Sequence, residues 1–236
     1  VVAKIKGESG TSVNLTVYRP STEEYIDMTV ERRVVQNPTV TSEMKDGNIG
    51  YIQVTEFDEV TVEQFNTAIS QLQSQGMEGL VVDLRDNPGG LLSSVCDMLD
   101  RILPEGDLLV YTMDKDGNRE EHYAENEDTL DLPMIVLVNG NSASASEIFT
   151  AALQDYGKAT IMGTTTFGKG IVQVILPLGD GSAVKVTQSQ YYTPNGICIH
   201  GEGVTPDIQV EYDAQSETDN QLDAALAQMQ TMLGAS

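Results

Sequence analysis

Apolar and polar residues alternate from the start of the chain. "SVNLTVYR" and "IDMTVERRVV" each carry the period of two expected of strands, with the turn-rich "PSTEEY" between them and the end of a helix in "VVAKIKG" ahead of them. Pro38 and the polar "TSEMKDGN" read as a linker, which puts a boundary between a first unit, 1–36, and a second, 37–236. Beyond it the pattern changes to strand–helix units. "GYIQVTEF" predicts a strand. "TVEQFNTAISQLQSQG" predicts a helix, with Thr61 and Gln64 as a capping box, Val62, Phe65, Ile69 and Leu72 on one face, and Gly76 as its stop.

"LVVDLR" and "MIVLVNG" are almost wholly apolar, the signature of strands covered on both faces. The first runs into "DNPGG" and a helix through Leu103; the second runs into a helix beginning in "NSASASEIFTAALQDYG". Between them "DLLVYTMDKDGNREEHYAE" predicts a hairpin turning at Asp116 and Gly117. "DKDGN" lacks the twelve-residue ligand spacing of a calcium loop, so it reads as that turn. Strands near 159–163, 171–178 and 183–191 follow, then the Gly- and Pro-punctuated "YYTPNGICIHGEGVTPD". A last helix starts near Asp219 and should bury Leu222, Leu226, Met229 and Leu233. The acidic run "ENEDTLD" reads as a solvated loop.

Composition narrows the function classes. With 36 acidic against 13 basic side chains, the formal charge of -23 repels polyanions, which argues against a nucleic-acid partner. Two cysteines without CxxC spacing, Cys96 and Cys198, and two histidines supply a zinc site poorly, so no metal is expected. Two buried free thiols are the simplest reading of the cysteines, with a single disulfide as the alternative. No stretch approaches the roughly 20 apolar residues of a membrane span. Because the chain opens on "VVAKIKG" without a methionine, missing targeting signals say nothing about its parent.

"GTTTFGKGIVQ", 163–173, nearly matches a phosphate-binding loop, but glycine occupies position 170 where a hydroxyl should hold magnesium. The residues after Lys169 also read as a strand, not as the helix whose N-terminus would face a phosphate. A different use of Lys169 is as a base. That requires a neutral amine, and moving a lysine from a reference near 10.4 to about 7 costs roughly 4.6 kcal/mol, which burial can supply. Phe167 and Ile171 flank it as apolar neighbours; the plainer reading is a strand-entrance lysine with its amine in water.

The nucleophile candidates are Ser142, Ser144 and Ser146, at a strand-to-helix junction that favours developing negative charge. Local chemistry does not choose among them, since Ser144 with Glu147 also spells a capping box and Ser142 a simple cap. The two glycines of "DNPGG" expose backbone N–H groups that could complete an oxyanion site, or make a tight turn. His122 lies in an acidic hairpin and His200 in a Gly-rich loop, with no motif placing either beside a serine.

Taken together, "GYIQVTEF", "VVDLRDNPGGLL", "VNGNSASASEIFTAALQDY", "GTTTFGKGIVQ" and "YYTPNGICIHGEGVTPDI" resemble the carboxyl-terminal processing peptidases, or tail-specific proteases, over about residues 48–210. The resemblance implies an α/β core of the crotonase-like or Clp-protease-like type, a spiral of ββα units, with a C-terminal helix. It implies Ser144 as nucleophile, Lys169 as base, Gln173 as the residue orienting the lysine, and Gly90 and Ala145 as oxyanion donors, with Gly89 open for the first. On a strand, positions four apart share a face, which fits Gln173 pointing where Lys169 points.

The first unit resembles the C-terminal part of a PDZ domain that lacks its carboxylate-gripping loop, which puts regulated tail recognition by this chain in doubt. What the resemblance implies is a Ser/Lys serine endopeptidase without cofactor, acting through an acyl-enzyme on unstructured protein C-termini. The work would lie outside the cytoplasm, tethered or exported. The alternative is a non-catalytic peptide-binding or scaffold protein that keeps the fold. The sequence does not fix oligomeric state, and a homo-oligomer is compatible with it.

Overall fold

A computed structural model describes residues 2–33 and 37–234. The chain divides into two compact units, Val1–Asn37 and Pro38–Ser236. The first holds α1 (Val2–Ile5) and the antiparallel pair β1 (Ser12–Arg19) and β2 (Glu24–Glu31), in register from Ser12 opposite Glu31 to Arg19 opposite Glu24. Strand β2 stops short of the expected run, whose Val34 and Val35 lie outside the described residues. Arg32 pins this unit, its Nε donating to the Ile5 carbonyl at 2.7 Å and one Nη to Thr11 Oγ1 at 2.9 Å.

The second unit begins with two strands, β3 (Val40–Lys45) and β4 (Ile49–Val54), then α2 (Thr61–Ser74), β5 (Gly79–Asp83) and α3 (Leu92–Asp100). The hairpin β6 (Leu108–Asp114) and β7 (Arg119–Tyr123) follows, then β8 (Met134–Val138), α4 (Ala145–Asp155) and β9 (Thr160–Gly163). Strands β10 (Ile171–Pro177), β11 (Ala183–Tyr192) and β12 (Ile208–Gln209) and helix α5 (Asn220–Gly234) complete it. The strands form a six-stranded sheet in the order β12-β9-β8-β5-β4-β3 and an antiparallel four-stranded sheet in the order β10-β11-β6-β7. Within the larger sheet β4, β5, β8, β9 and β12 run parallel, and β3 closes the edge antiparallel.

The reason β5 and β8 read as continuous apolar runs is visible in their neighbours. Leu80, Val82, Met134, Val136 and Val138 face a core shared with α2, α3 and α4, where Phe57, Phe65, Leu99 and Phe149 are fully buried. Val81, Ile135 and Leu137 point to the other side and meet Ala225 and Met229 of α5. Each such side chain removed from water stabilises the fold by about 1.5–3 kcal/mol.

Several expectations need correction. The segment read as a linker forms β3: its hydrogen bonds to β4, not an apolar pattern, make it a strand. Thr61 and Gln64 form no capping box. Thr61 Oγ1 accepts the Asp58 N–H at 2.8 Å and donates to the Glu56 carbonyl at 3.0 Å, while Gln64 Oε1 accepts the Thr39 and Val40 N–H groups and ties β3 to the helix. Helix α3 ends at Asp100, short of Leu103. Helix α5 buries Met229 as expected, but above it buries Gln221 and Ala225 in place of Leu222 and Leu226, leaving Leu222, Leu226 and Leu233 partly covered. The turn at Asp116–Gly117 forms as expected, with Asp114 accepting the Asp116 and Asn118 N–H groups. Cys96 is buried, and that burial pushes its thiol up to about 12; Cys198 is half-buried, and both are free. No helix among the described residues is long and apolar enough to cross a membrane.

Candidate active site

The C-terminal ends of β5 and β8 deliver two loops to one place. After β5, Asp86 and the two glycines turn the chain with φ of 61°, 101° and 150° at Asp86, Gly89 and Gly90. The buried side chain of Asn87 holds the turn, donating to the Val54 carbonyl at 2.8 Å and accepting the Gly89 N–H at 2.9 Å. Phe57 grips it from the other side: its N–H donates to the Gly89 carbonyl, and its carbonyl accepts the Leu91 N–H. In that parallel bridge the N–H of Gly90 faces away from Phe57. A Cβ on Gly90 would lie 2.0 Å from the Phe57 carbonyl oxygen, so glycine is required there.

The serine run docks on this turn. The Ala143 N–H and the Ser146 hydroxyl both donate to the Asn87 carbonyl at 3.0 Å. Ser142 donates to the Leu84 carbonyl at 2.7 Å and accepts the Asn139 N–H. Two of the three serine hydroxyls are therefore committed to backbone. Ser144 is different: its side chain closes the expected capping box with Glu147, but its hydroxyl donates to no acceptor among the described residues, and its backbone sits at φ 56°, ψ −113°, immediately before α4. A non-glycine residue held there stores on the order of 1–3 kcal/mol of strain. Gly89 packs so tightly that an added Cβ would come within 2.8 Å of Ser144 Cβ and 2.9 Å of the Ala145 nitrogen. Ala145 is the first residue of α4, where a backbone N–H has no partner within the helix.

Lys169 arrives on the loop between β9 and β10. The Phe167 N–H donates to the Ser142 carbonyl at 3.0 Å, and the Gly201 N–H donates to the Gly168 carbonyl at 2.9 Å. The Lys169 amine makes no hydrogen bond or ion pair among the described residues. It lines a cavity of about 400 Å³ with Asp86, Pro88, Asn141, Ala143 and Phe167. Asp86 is held below the usual carboxylate range by hydrogen bonds from Asn141 and Asn139, with nearby Arg85 adding to the effect. The apolar enclosure expected around Lys169 is only partial, because Ile171 is half-buried and Phe167 is 66% exposed.

Gln173 departs from its expected geometry. Lys169 precedes β10, so the two do not lie on one strand; the extra residue in the β10–β11 register falls between Thr187 and Ser189, on β11. The Gln173 amide reaches Thr187 Oγ1 at 3.5 Å instead. Among the described residues neither histidine is hydrogen-bonded to a serine: His122 lies on β7 and His200 on an exposed loop whose backbone packs against Gly170.

Two features escaped sequence reasoning. One is a charged cluster beside the glycine turn, where Arg85 bridges Asp83 and Asp219 at 2.6 and 2.7 Å and Tyr51 donates to Asp83 at 2.8 Å. Burial opposes the Arg85 charge, but the hydrogen bonds to Asp219 and Asp83 win and drive it further up. Arg85 in turn holds the Asp219 carboxyl below its usual range. The signal was an Asp and an Arg at the end of the apolar run "LVVDLR", since charges placed there must be paired. The other is Glu147, fully buried, whose carboxylate accepts from Ser144, Thr166, Gly168 and Lys169.

Comparison with known proteins bears on the same segments. The profile of "Peptidase family S41" matches residues 48–210. The chain belongs to peptidase family S41. Among its relatives, the carboxy-terminal processing protease CtpA of Bacillus subtilis (strain 168) is 40% identical over 210 residues, covering 89% of this chain and 45% of the relative. The carboxyl-terminal-processing protease of Synechocystis sp. (strain ATCC 27184 / PCC 6803 / Kazusa) is 38% identical over 213 residues, covering 89% and 50%. A solved structure, the photosystem II D1 C-terminal processing protease, superposes with a TM-score of 0.68 at 32% identity, covering 87% of this chain and 57% of that one. The mixed α/β fold of the second unit is thus the fold of the S41 peptidases. The chain spans about half the length of the curated relatives it matches, and the S41 match does not reach the first unit.

Proposed function

We propose that this S41 chain carries a serine endopeptidase site that cleaves the C-terminal tails of proteins through a Ser144–Lys169 dyad and an acyl-enzyme. The observation that carries the reading is Ser144 itself, the one serine of its run whose hydroxyl donates to no acceptor among the described residues, held in a strained turn at a helix N-terminus. Its N–H and that of Lys169 donate to the same Glu147 oxygen, each at 2.8 Å.

In this mechanism neutral Lys169 takes the Ser144 proton as the hydroxyl oxygen attacks a peptide carbonyl. The carbonyl oxygen, now negative, is received by the N–H groups of Gly90 and Ala145, donors fixed before the charge develops. Gly90 suits this role better than Gly89, whose N–H already donates to Asn87. Lys169 returns the proton to the leaving amine, and water repeats the cycle on the ester. A substrate side chain seated in the cavity beside Phe167 and Lys169 would displace water from the amine, supplying desolvation that the free site provides only in part. Apolar residues near the end of an unstructured tail fit that cavity.

The names of the relatives support C-terminal processing as the activity and protein tails as the substrate class. On the resemblance of its motifs we place the work outside the cytoplasm. Gln173 is assigned a supporting role toward Lys169, reached by movement of β10. The test is a fluorophosphonate probe followed by intact-protein mass spectrometry. One adduct per chain, absent from Ser144→Ala, is the expected result; no adduct on a folded chain would favour a non-catalytic binding protein of the same fold.

A further inference from the structure

We infer that Glu147 is a positioning residue whose buried carboxylate fixes the loop carrying the base against the turn carrying the nucleophile. The inference rests on the Ser144–Lys169 reading. In sequence Glu147 looks like a helix cap serving its own helix. The structure gives it a wider reach. One oxygen accepts the Ser144 N–H and the Lys169 N–H, both at 2.8 Å; the other accepts the Thr166 hydroxyl at 2.6 Å and the Gly168 N–H at 2.7 Å. Three of the four donors lie on a loop 19 to 22 residues further along the chain.

No cation pairs with Glu147 among the described residues, although it is fully buried. A carboxylate taken out of water is expensive unless donors replace the water, and here four do. A fold that needed only a helix cap would be served by a single contact at the surface. This arrangement instead keeps a charge in the interior and joins the amides of the two residues whose side chains must meet. Thr166 extends the device, since its hydroxyl also accepts the Val204 N–H at 2.7 Å and so anchors the loop to the segment after His200. Replacing the carboxylate by an amide of equal size puts an NH₂ where two donors point. The loop must then move, and about 1 Å of misplacement is worth roughly 10²-fold in rate.

The experiment compares Glu147→Gln, Thr166→Val and Thr166→Ser with the wild-type chain. The inactivation rate and affinity for a fluorophosphonate are measured together with kcat and KM on a fluorogenic peptide with an apolar C-terminus, all normalised to the folded fraction from thermal melts. Glu147→Gln is expected to lower kcat and the inactivation rate by about 100-fold while KM and probe affinity stay within about threefold. Thr166→Val should lose about tenfold in kcat, and Thr166→Ser, which keeps the hydroxyl, should recover most of it. If Glu147→Gln does not fold, the Thr166 pair decides. Folded variants with wild-type rates, or Thr166→Ser as slow as Thr166→Val, would overturn the inference while a labelled wild type leaves the peptidase reading standing. A wild-type chain that neither labels nor cleaves overturns both.

Discussion

The two halves of the candidate site are built differently. On the nucleophile side, Ser142, Ala143, Ser144, Ala145, Ser146 and Glu147 are all buried, and the run is clamped to the glycine turn through the Asn87 carbonyl. On the base side the loop is held by its backbone and the Thr166 hydroxyl, but the lysine side chain is not. The Lys169 amine has no partner among the described residues in the cavity it lines, and β10 runs out to Ile175 and Leu176, which are 67% and 50% exposed. The half that must receive developing charge is rigid in advance, where preorganisation does most. The half that must move a proton is left open to be completed by the substrate.

The sharpest way to break this contrast is at the dyad. Ser144→Ala and Lys169→Ala should each remove at least about 10³-fold of kcat on a peptide substrate, with an unchanged melting temperature for the lysine variant. Lys169→Arg should fail as badly, because guanidinium does not give up its proton. An arginine variant that keeps most of its turnover would mean that the base is another group. Next comes the rigid half. Gly90→Ala places a Cβ 2.0 Å from the Phe57 carbonyl oxygen and cannot be accommodated without moving the turn. A loss of about 10²–10³-fold in kcat is expected, the usual consequence of displacing one oxyanion donor, with KM nearly constant. A larger change in KM than in kcat would place Gly90 in substrate binding instead.

How much of this could be read in advance follows the same division. Strands β5 and β8 were legible because both faces are covered and their apolar runs have no other explanation. The serine run, the glycine turn and the lysine loop were legible as motifs. Strand β3 was not, because an edge strand owes its form to hydrogen bonds with β4 that leave no apolar pattern. On α5 the burial of Met229 was legible, but that of Ala225 was not, because a small residue carries little weight in an apolar pattern dominated by Leu222 and Leu226. Glu147 was legible only as a cap, since its partners at 166, 168 and 169 are brought to it by the fold. The choice of Ser144 likewise needed to know where the hydroxyls of Ser142 and Ser146 point. The strand-face argument for Gln173 takes Lys169 to be on the same strand, whereas the strand begins only at Ile171, two residues later.

The charged cluster beside the glycine turn tests whether the rigid half depends on α5. Arg85 lowers Asp219, so the pairing contributes stability above the carboxylate's unfolded value and loses it as pH falls through the lower folded value. Acidification below about pH 4 should therefore destabilise the wild type. Asp219→Asn should lose this part of the acid dependence and, at neutral pH, stability of no more than about 1 kcal/mol, since the Asp219 side chain is 37% exposed. Parallel acid limbs for the two proteins, followed by thermal melts between pH 3 and pH 7, would show that the pair adds nothing.

The smallest effect is expected where the site is loosest. Gln173 lies past a register shift, and its amide is 3.5 Å from Thr187, a contact at the limit of a hydrogen bond. If β10 closes toward Lys169 only when substrate is bound, Gln173→Ala should lower kcat by about three- to tenfold with KM almost unchanged, because the interaction is made on the way to the transition state. Equal losses in kcat from Gln173→Ala and Glu147→Gln would erase the distinction between a base loop fixed by its backbone and a strand that arrives later. An unchanged kcat for Gln173→Ala would remove this residue from the site and leave Lys169 oriented by backbone and substrate alone.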